Sequence, residues 1–243
     1  IIQANTLVME DVTLTIEPGT VLQFDDSILM QVNGTIRAIG TETDSIVFTR
    51  IPGNTVGWGG LRFHHLSTPY DSLTGEGCVL SYIQLKHVAS MTVSNTQTYP
   101  LFVNNASPLI EHSEISCFKG WIYFWRSSAI MRHCSIHDGT NETSILIADP
   151  LQLNHMVMDH CYIHDLNAPP SNVNSSKTVS LGANCTIKNC YFGATNSEIT
   201  MGLYGNNIKL LGNTFENGEN IAIGIFGGWQ PSVHITGNRF SGN

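Results

Sequence analysis

Apolar and polar residues alternate in short blocks along this chain, and one six-residue pattern recurs from residue 80 onward. Each copy begins and ends with an apolar residue, and all but the first have a small residue in the fourth position. Successive copies start 21 to 30 residues apart, which is typical of a solenoid whose coils carry loops of different lengths. The seven copies start at Leu80, Ile110, Met131, Met158, Ile187, Leu210 and Ile235.

Each hexamer is predicted to form two short strands joined by a bend. Side chains alternate between the two faces of a strand, so the apolar residues at both ends of the hexamer point inward. The third position must tolerate the left-handed backbone region of the bend, and Gly, Asn and His do so best. This bend column contains Tyr82, His112, His133, His160, Asn189, Gly212 and Gly237.

The fourth position of the hexamer is predicted to point inward. Stacked coils place equivalent residues about 4.8 Å apart, so these positions form an internal ladder of mostly small side chains. The ladder contains Ile83, Ser113, Cys134, Cys161, Cys190, Asn213 and Asn238.

A third strand precedes five of the hexamers, so each coil is predicted to contribute one strand to each of three parallel sheets. The N-terminal region shows the same alternation, with turns at Pro18-Gly19, Gly34 and Gly40. We predict roughly nine coils in one domain over residues 1–243, with N-terminal coils in 1–65 and repeat coils in 78–243. The predicted third strands cover residues 121–125, 145–148, 179–181, 200–204 and 221–226.

The stretches LTIEPGTVLQF, ILMQVNGTIRAIG and GWGGLRF, together with the later hexamers, resemble the right-handed parallel β-helix repeat proteins of the pectate-lyase-like superfold. This resemblance implies an all-β, single-stranded, right-handed parallel β-helix. It implies little about activity, because the fold includes lyases, hydrolases, epimerases, adhesins and structural modules.

Charge and composition narrow the classes of partner. The net charge of −8 gives no electrostatic reason to bind nucleic acid, and it weighs against polyuronate substrates. No apolar run is long enough for a transmembrane helix, so membrane insertion is not expected. Sequons indicate an extracellular or cell-surface glycoprotein, and the candidate glycosylation sites are Asn33, Asn105, Asn141, Asn174 and Asn184.

No residue cluster predicts catalysis, a metal site or a cofactor. The histidine column is better explained by the bend than by metal binding. Asp159 resembles a calcium-binding residue of pectate lyases, but its column neighbours are Arg132 and Lys188, so no acidic cluster forms. The carboxylate patterns of polygalacturonases are missing. We therefore predict no catalytic residues, no metal ligands and no cofactor.

The cysteines and aromatic residues complete the candidate set. Cys134, Cys161 and Cys190 share the ladder and are expected to be buried thiols. The other three cysteines, Cys78, Cys117 and Cys185, allow one disulfide bond, and the sequence does not indicate which two would form it. Exposed aromatic rings in a row suit sugar stacking or a protein contact, unless the loop Leu166 to Lys177 covers them. The candidate binding residues are Trp121, Tyr123 and Trp125 on one strand, and Tyr162 and Tyr191 on neighbouring coils.

The sequence thus favours a non-catalytic structural or binding module that contacts carbohydrate or a surface or matrix protein. One alternative is a polysaccharide lyase or glycoside hydrolase, which clustered charges in a sheet groove would favour. Another is a filament subunit that associates end to end, because the hexamers continue to the last residues and an open coil end exposes backbone groups.

Overall fold

The chain is an all-β parallel solenoid with three sheets, seen in a computed structural model. The described residues are 1–89, 92–93, 96–97, 99–140, 143–149, 151, 154–167, 177–182, 184–194, 199–216, 221–226 and 232–242.

Sheet 1 contains the first strand of each coil, and its nine strands are paired in parallel. Its strands are Thr6–Val8, Leu29–Val32, Gly60–Phe63, Leu101–Asn104, Trp121–Trp125, Ser144–Ala148, Lys177–Gly182, Ile199–Leu203 and Ile221–Ile225.

Sheet 2 contains the second strand of each coil, which includes the first half of every hexamer. Its strands are Thr13–Ile16, Thr35–Ile39, Val79–Ser81, Leu109–Glu111, Ile130–Arg132, Met156–Asp159, Cys185–Lys188, Ile208–Leu211 and Val233–Thr236.

Sheet 3 follows the bend and contains the second half of every hexamer. Its strands are Val21–Phe24, Ile46–Arg50, Ile83–Lys86, Glu114–Phe118, Ser135–Gly139, Tyr162–His164, Tyr191–Gly193, Thr214–Glu216 and Arg239–Ser241. Within the described residues each sheet has nine strands, which agrees with the predicted number of coils. A short antiparallel hairpin, Thr92–Val93 with Thr96–Gln97, was not predicted.

The predicted bends have the left-handed backbone that the hexamer requires. Their φ values lie between 48° at His112 and 68° at Gly237. Only glycine adopts this region without a steric cost, but the bend recurs in all seven hexamers and stacked neighbours hold it in place. The prediction that Tyr82, His112, His133, His160 and Asn189 occupy bend positions is therefore confirmed.

The predicted ladder lies inside the solenoid and carries hydrogen bonds between coils. Ser113, Cys134, Cys161, Cys190 and Asn213 are all buried. The backbone N–H of Cys161 donates to Cys190 Sγ (3.4 Å), and that of Cys190 donates to Asn213 Oδ1 (2.9 Å). Each of these side chains therefore satisfies a buried backbone donor at the bend of the preceding coil.

Apolar side chains fill the space between the three sheets along the whole rod. At the N-terminal end Phe24 stacks on the buried Trp58, with ring centroids 4.2 Å apart, and Trp58 Nε1 donates to the carbonyl of Lys86. Near the C-terminal end Phe192, Phe215 and Phe240 form a stack with spacings of 5.0 and 5.1 Å. Within the described residues, no helix is long and apolar enough to span a membrane.

Candidate aromatic binding surface

Five aromatic side chains form a continuous cluster on the outer face of sheet 1, which we call the aromatic surface. Trp121, Tyr123 and Trp125 alternate with the buried Ile122 and Phe124, as predicted. All three outward rings are half-buried, because they pack against one another and against rings from neighbouring segments. The aromatic surface consists of Tyr99, Phe102, Trp121, Tyr123 and Trp125.

Two members of this surface were not predicted. Phe102 pairs with Tyr123 across the strands, and their rings stack with centroids 5.3 Å apart. Tyr99 lies before that strand, 5.0 Å from the Phe102 ring and 5.5 Å from the Tyr123 ring. The alternation in Leu101–Asn104 signals an outward Phe102, but no local pattern signals Tyr99.

Two guanidinium groups border the aromatic surface. Arg62 Cζ lies 5.2 Å from the Phe102 ring centroid, and Arg126 Cζ lies 5.5 Å from that of Trp125. Both arrangements are cation–π contacts. The Nε atom of Arg126 is buried and has no hydrogen-bond partner in the structure.

The tyrosines of the surface keep their hydroxyl protons at neutral pH. Burial raises the pKa of Tyr99, and burial together with the nearby Tyr99 raises the pKa of Tyr123. A protonated phenol hydroxyl can donate as well as accept hydrogen bonds. The surface thus combines flat apolar faces, phenolic hydroxyls and two cations.

The other two predicted binding residues lie elsewhere on the rod. Tyr162 and Tyr191 stack with centroids 4.3 Å apart, but they belong to sheet 3. The structure therefore does not bring them together with Trp121, Tyr123 and Trp125. Most of the loop Leu166 to Lys177, considered as a cover for the tryptophans, lies outside the described residues.

The candidate glycosylation sites differ in exposure. Asn105 is exposed at a turn, with a φ of 55°. Asn33 is half-buried and accepts a hydrogen bond from Gln31, and Asn184 is half-buried. The sites at Asn141 and Asn174 lie outside the described residues.

A polar groove of about 510 Å³ lies beside the bend between sheets 2 and 3. The stacked rings of Tyr82, His112 and His133 line its side, with successive centroids 4.8 Å apart. Glu114 and His137 lie in the same groove, with His137 Nε2 3.5 Å from Glu114 Oε1.

Glu114 is held as a carboxylate by its neighbours. Its Oε1 lies 3.2 Å from Lys86 Nζ and accepts a 2.6 Å hydrogen bond from Ser116. Burial alone would raise the pKa of Glu114, but the hydrogen bonds from Ser116 and Lys86 and the charges of Lys86 and His137 lower it below its ordinary value. Glu114 is therefore a firmly ionised carboxylate in this groove.

The histidine column continues from this groove as a stack. His133 and His160 have ring centroids 5.1 Å apart, and His160 Nδ1 lies 2.7 Å from Asp159. Within the described part of the chain, no group of three or more His, Cys, Asp or Glu residues is arranged to hold a metal ion. Parallel stacking directs the ring nitrogens side by side instead of toward one common point.

Asp159 has basic neighbours in its column, as the sequence indicated. It pairs with Arg132 on one side and with Lys188 on the other. Asp159 Oδ2 lies 3.0 Å from Lys188 Nζ, and Arg132 instead binds Glu111 at 2.6 Å. The charges therefore alternate along this column, and each carboxylate has a basic neighbour.

All six cysteines are free thiols, so no bridge forms among Cys78, Cys117 and Cys185. Cys117 is exposed and the other five are buried. Burial raises the pKa of Cys185 to about 12, and burial also raises the pKa of Cys134. Buried thiols of this kind are poor nucleophiles and act as small apolar side chains.

The last coil exposes residues whose column neighbours are buried. Ile225, Ile235 and Phe240 are 56%, 41% and 48% exposed, whereas the equivalent residues one coil earlier are fully buried. Their side chains continue the core columns of the preceding coil.

These features define a three-sheet parallel β-solenoid with an aromatic outer surface. No protein-family model matches the chain, and no match was found among curated proteins or solved structures. The resemblance to β-helix repeat proteins is therefore supported at the level of the fold alone.

Proposed function

We propose that this chain is a non-catalytic extracellular β-solenoid module that binds carbohydrate on its aromatic surface. The observation that carries the proposal is the cluster of five packed, half-exposed rings on one face of a rigid sheet. Aromatic faces stack on the apolar faces of sugar rings, and the adjacent hydroxyls and guanidinium groups supply polar contacts.

The rigidity of the support favours binding. Sheet 1 is hydrogen-bonded along its whole length, and the rings of Tyr123 and Phe102 are held in register by paired strands. Little side-chain entropy is lost when such preorganised rings contact a ligand. Stacking on an aromatic face is worth about 1–3 kcal/mol per ring, by analogy with measured base stacking.

A glycan array followed by titration of the retained glycans tests this proposal. Replacing Trp121 and Trp125 by Ala is expected to weaken binding at least tenfold, while the β-sheet circular dichroism stays unchanged. The matched control replaces Tyr162 and Tyr191 by Ala, because this stacked pair lies on sheet 3. Absence of glycan retention, or equal losses in both double variants, would overturn the proposal.

The groove beside sheet 3 supports a second candidate, a polysaccharide lyase or hydrolase. Glu114 and His137 are close enough to exchange a proton, and the groove is open to substrate. Against this function, Glu114 Oε1 is already engaged by Lys86, Ser116 and His137, an arrangement typical of a structural ion pair.

Turnover assays separate this candidate from the binding module. We expect no release of unsaturated or reducing products from pectate, polygalacturonate or alginate, with or without calcium. Product formation that is abolished by Glu114→Gln, but not by Trp121→Ala, would establish the enzyme instead.

A further inference from the structure

Tyr162 and Tyr191, which lie away from the aromatic surface, form a stacked pair on the outer face of sheet 3. The two residues are direct partners in paired parallel strands, so their side chains leave the sheet at equivalent points of successive coils. Their ring centroids are 4.3 Å apart, and the ring planes differ by 15°. Equivalent carbons of the two phenol rings therefore face each other.

The other tyrosines have different neighbours. Within the described part of the chain, which includes all seven tyrosines, Tyr162 and Tyr191 form the one parallel stack of two phenol rings. Tyr82 stacks on a histidine and Tyr204 on a phenylalanine. Tyr99 meets another tyrosine edge-on, with a centroid distance of 5.5 Å and 66° between the planes.

The surroundings of Tyr191 hold its ring in this position. A Cβ atom added at Gly193 would clash with Tyr191 Oη, so the ring extends over Gly193 and uses the room that this glycine leaves. Burial, the adjacent Tyr162 and Glu216 on the next strand raise the pKa of Tyr191. Tyr191 is therefore a neutral phenol at neutral pH, and the Glu216 carboxylate is near enough to accept its proton.

A stacked pair of phenols is arranged for oxidative coupling. Tyr162 is 46% exposed, so an oxidant from solution can reach the pair. Loss of one electron and one proton from each phenol gives two neighbouring phenoxyl radicals. The new bond joins the ring carbons beside the hydroxyls and forms across the facing π surfaces, so the stacked rings are already in the productive orientation. The hydrogen on each joined carbon then moves to the phenolic oxygen, which restores both aromatic rings.

We propose that Tyr162 and Tyr191 are an oxidative cross-linking site, at which a haem peroxidase and hydrogen peroxide join two coils through a dityrosine bond. The two phenols supply two electrons and two protons, which reduce one peroxide molecule to two molecules of water. All six cysteines are free thiols, so no disulfide joins these coils. A covalent link that closes the segment 162–191 restricts the unfolded chain, as a disulfide does, and thereby stabilises the rod. The site lies on sheet 3 and does not depend on carbohydrate binding.

Peptide mapping after treatment with a haem peroxidase and hydrogen peroxide tests the site. Trypsin separates the two residues, because peptide 133–177 contains Tyr162 and peptide 189–209 contains Tyr191. We expect a joined peptide whose mass equals the sum of the two minus two hydrogen atoms. Fragmentation is expected to place the bond at Tyr191 and not at Tyr204, which lies in the same peptide. Dilution of the protein should not lower the yield, because the coupling is intramolecular.

Two variants separate the geometry of the pair from simple accessibility. Tyr191→Phe keeps a stacked ring without its hydroxyl, and we expect it to lower dityrosine fluorescence at least tenfold. The matched control, Tyr204→Phe, removes a hydroxyl from the same tryptic peptide and should leave the yield unchanged. Gly193→Ala keeps both phenols but displaces the Tyr191 ring, so at least a threefold lower yield is expected. Circular dichroism checks that each variant keeps the β-solenoid.

Three results would contradict the proposal. A yield at this pair no higher than at Tyr99 and Tyr123, or a yield unchanged in Tyr191→Phe, would overturn the site. A yield that falls on dilution would indicate coupling between molecules and would also overturn it. The cross-linked protein should unfold at a higher urea concentration than Tyr191→Phe treated in the same way relative to their untreated forms, and equal shifts would refute the stabilising role.

Discussion

Replacing Asn213 by Leu removes a fully buried amide that makes three side-chain hydrogen bonds in the internal ladder. Asn213 is fully buried, and its Oδ1 accepts from the backbone N–H of Cys190 at 2.9 Å. Its Nδ2 donates to the carbonyl of Ile187 and to Asn238 Oδ1, both at 2.9 Å. Leucine leaves the Cys190 N–H and the Ile187 carbonyl without these side-chain partners in the core.

A buried polar group that loses its partner costs about 1–3 kcal/mol, so the two backbone groups together predict a loss of about 2–6 kcal/mol in the free energy of unfolding. Asn238→Leu is expected to cost less, because Asn238 is only half-buried. The free energies come from urea denaturation followed by circular dichroism and by tryptophan fluorescence, and coincident transitions establish that unfolding is two-state.

Asn213→Cys is the matched control. It introduces the residue type found at Cys134, Cys161 and Cys190, and its sulfur is placed to accept from the Cys190 N–H as Cys190 Sγ accepts from the Cys161 N–H. We expect its loss of stability to be smaller than that of the leucine variant. Unchanged stability in both leucine variants would refute the structural role assigned to the ladder amides.

Three further predictions concern the bend, the ion pairs and the end of the rod. His133→Val should lose roughly 1–2 kcal/mol of unfolding free energy relative to His133→Gly, because the bend has a φ of 53°, and thermal melting of the pair measures this difference. The pKa of Glu114 is lower in the folded state than the ordinary glutamate value of about 4.3. The interactions of its carboxylate therefore contribute fully to stability above this ordinary value, and the contribution is lost as the pH falls through the folded-state pKa. Urea titrations across this range should show a weaker acid dependence for Glu114→Gln, and identical curves would contradict the assignment. If the coil ends associate, Phe240→Glu should reduce the sedimentation coefficient at high protein concentration. The double variant with Trp121 and Trp125 replaced by Ala should sediment like the unchanged protein. An effect of the tryptophan changes alone would place self-association on sheet 1.

The hexamer pattern determined the path of the seven coils from residue 80 onward. The bend positions require a left-handed backbone, which Gly, Asn and His tolerate, and the alternation of strand residues sets the inward and outward faces. These are local steric rules, so the positions of His133 and Gly212 at bends and of Cys161 and Asn213 in the ladder were predictable from single hexamers. The outward direction of Tyr123 followed from the same alternation.

The composition of the outer surface depended on tertiary structure. Loops of different lengths separate the coils. The register between stacked strands therefore cannot be predicted from the local sequence, and neither can the outward residues that become neighbours. Strand register placed Phe102 beside Tyr123, and stacking of successive coils placed Tyr204 against Phe226. The same stacking put Tyr162 on a different sheet from the tryptophans. Strand alternation follows from local backbone geometry, whereas a surface shared by several coils exists only after residues distant in sequence have paired.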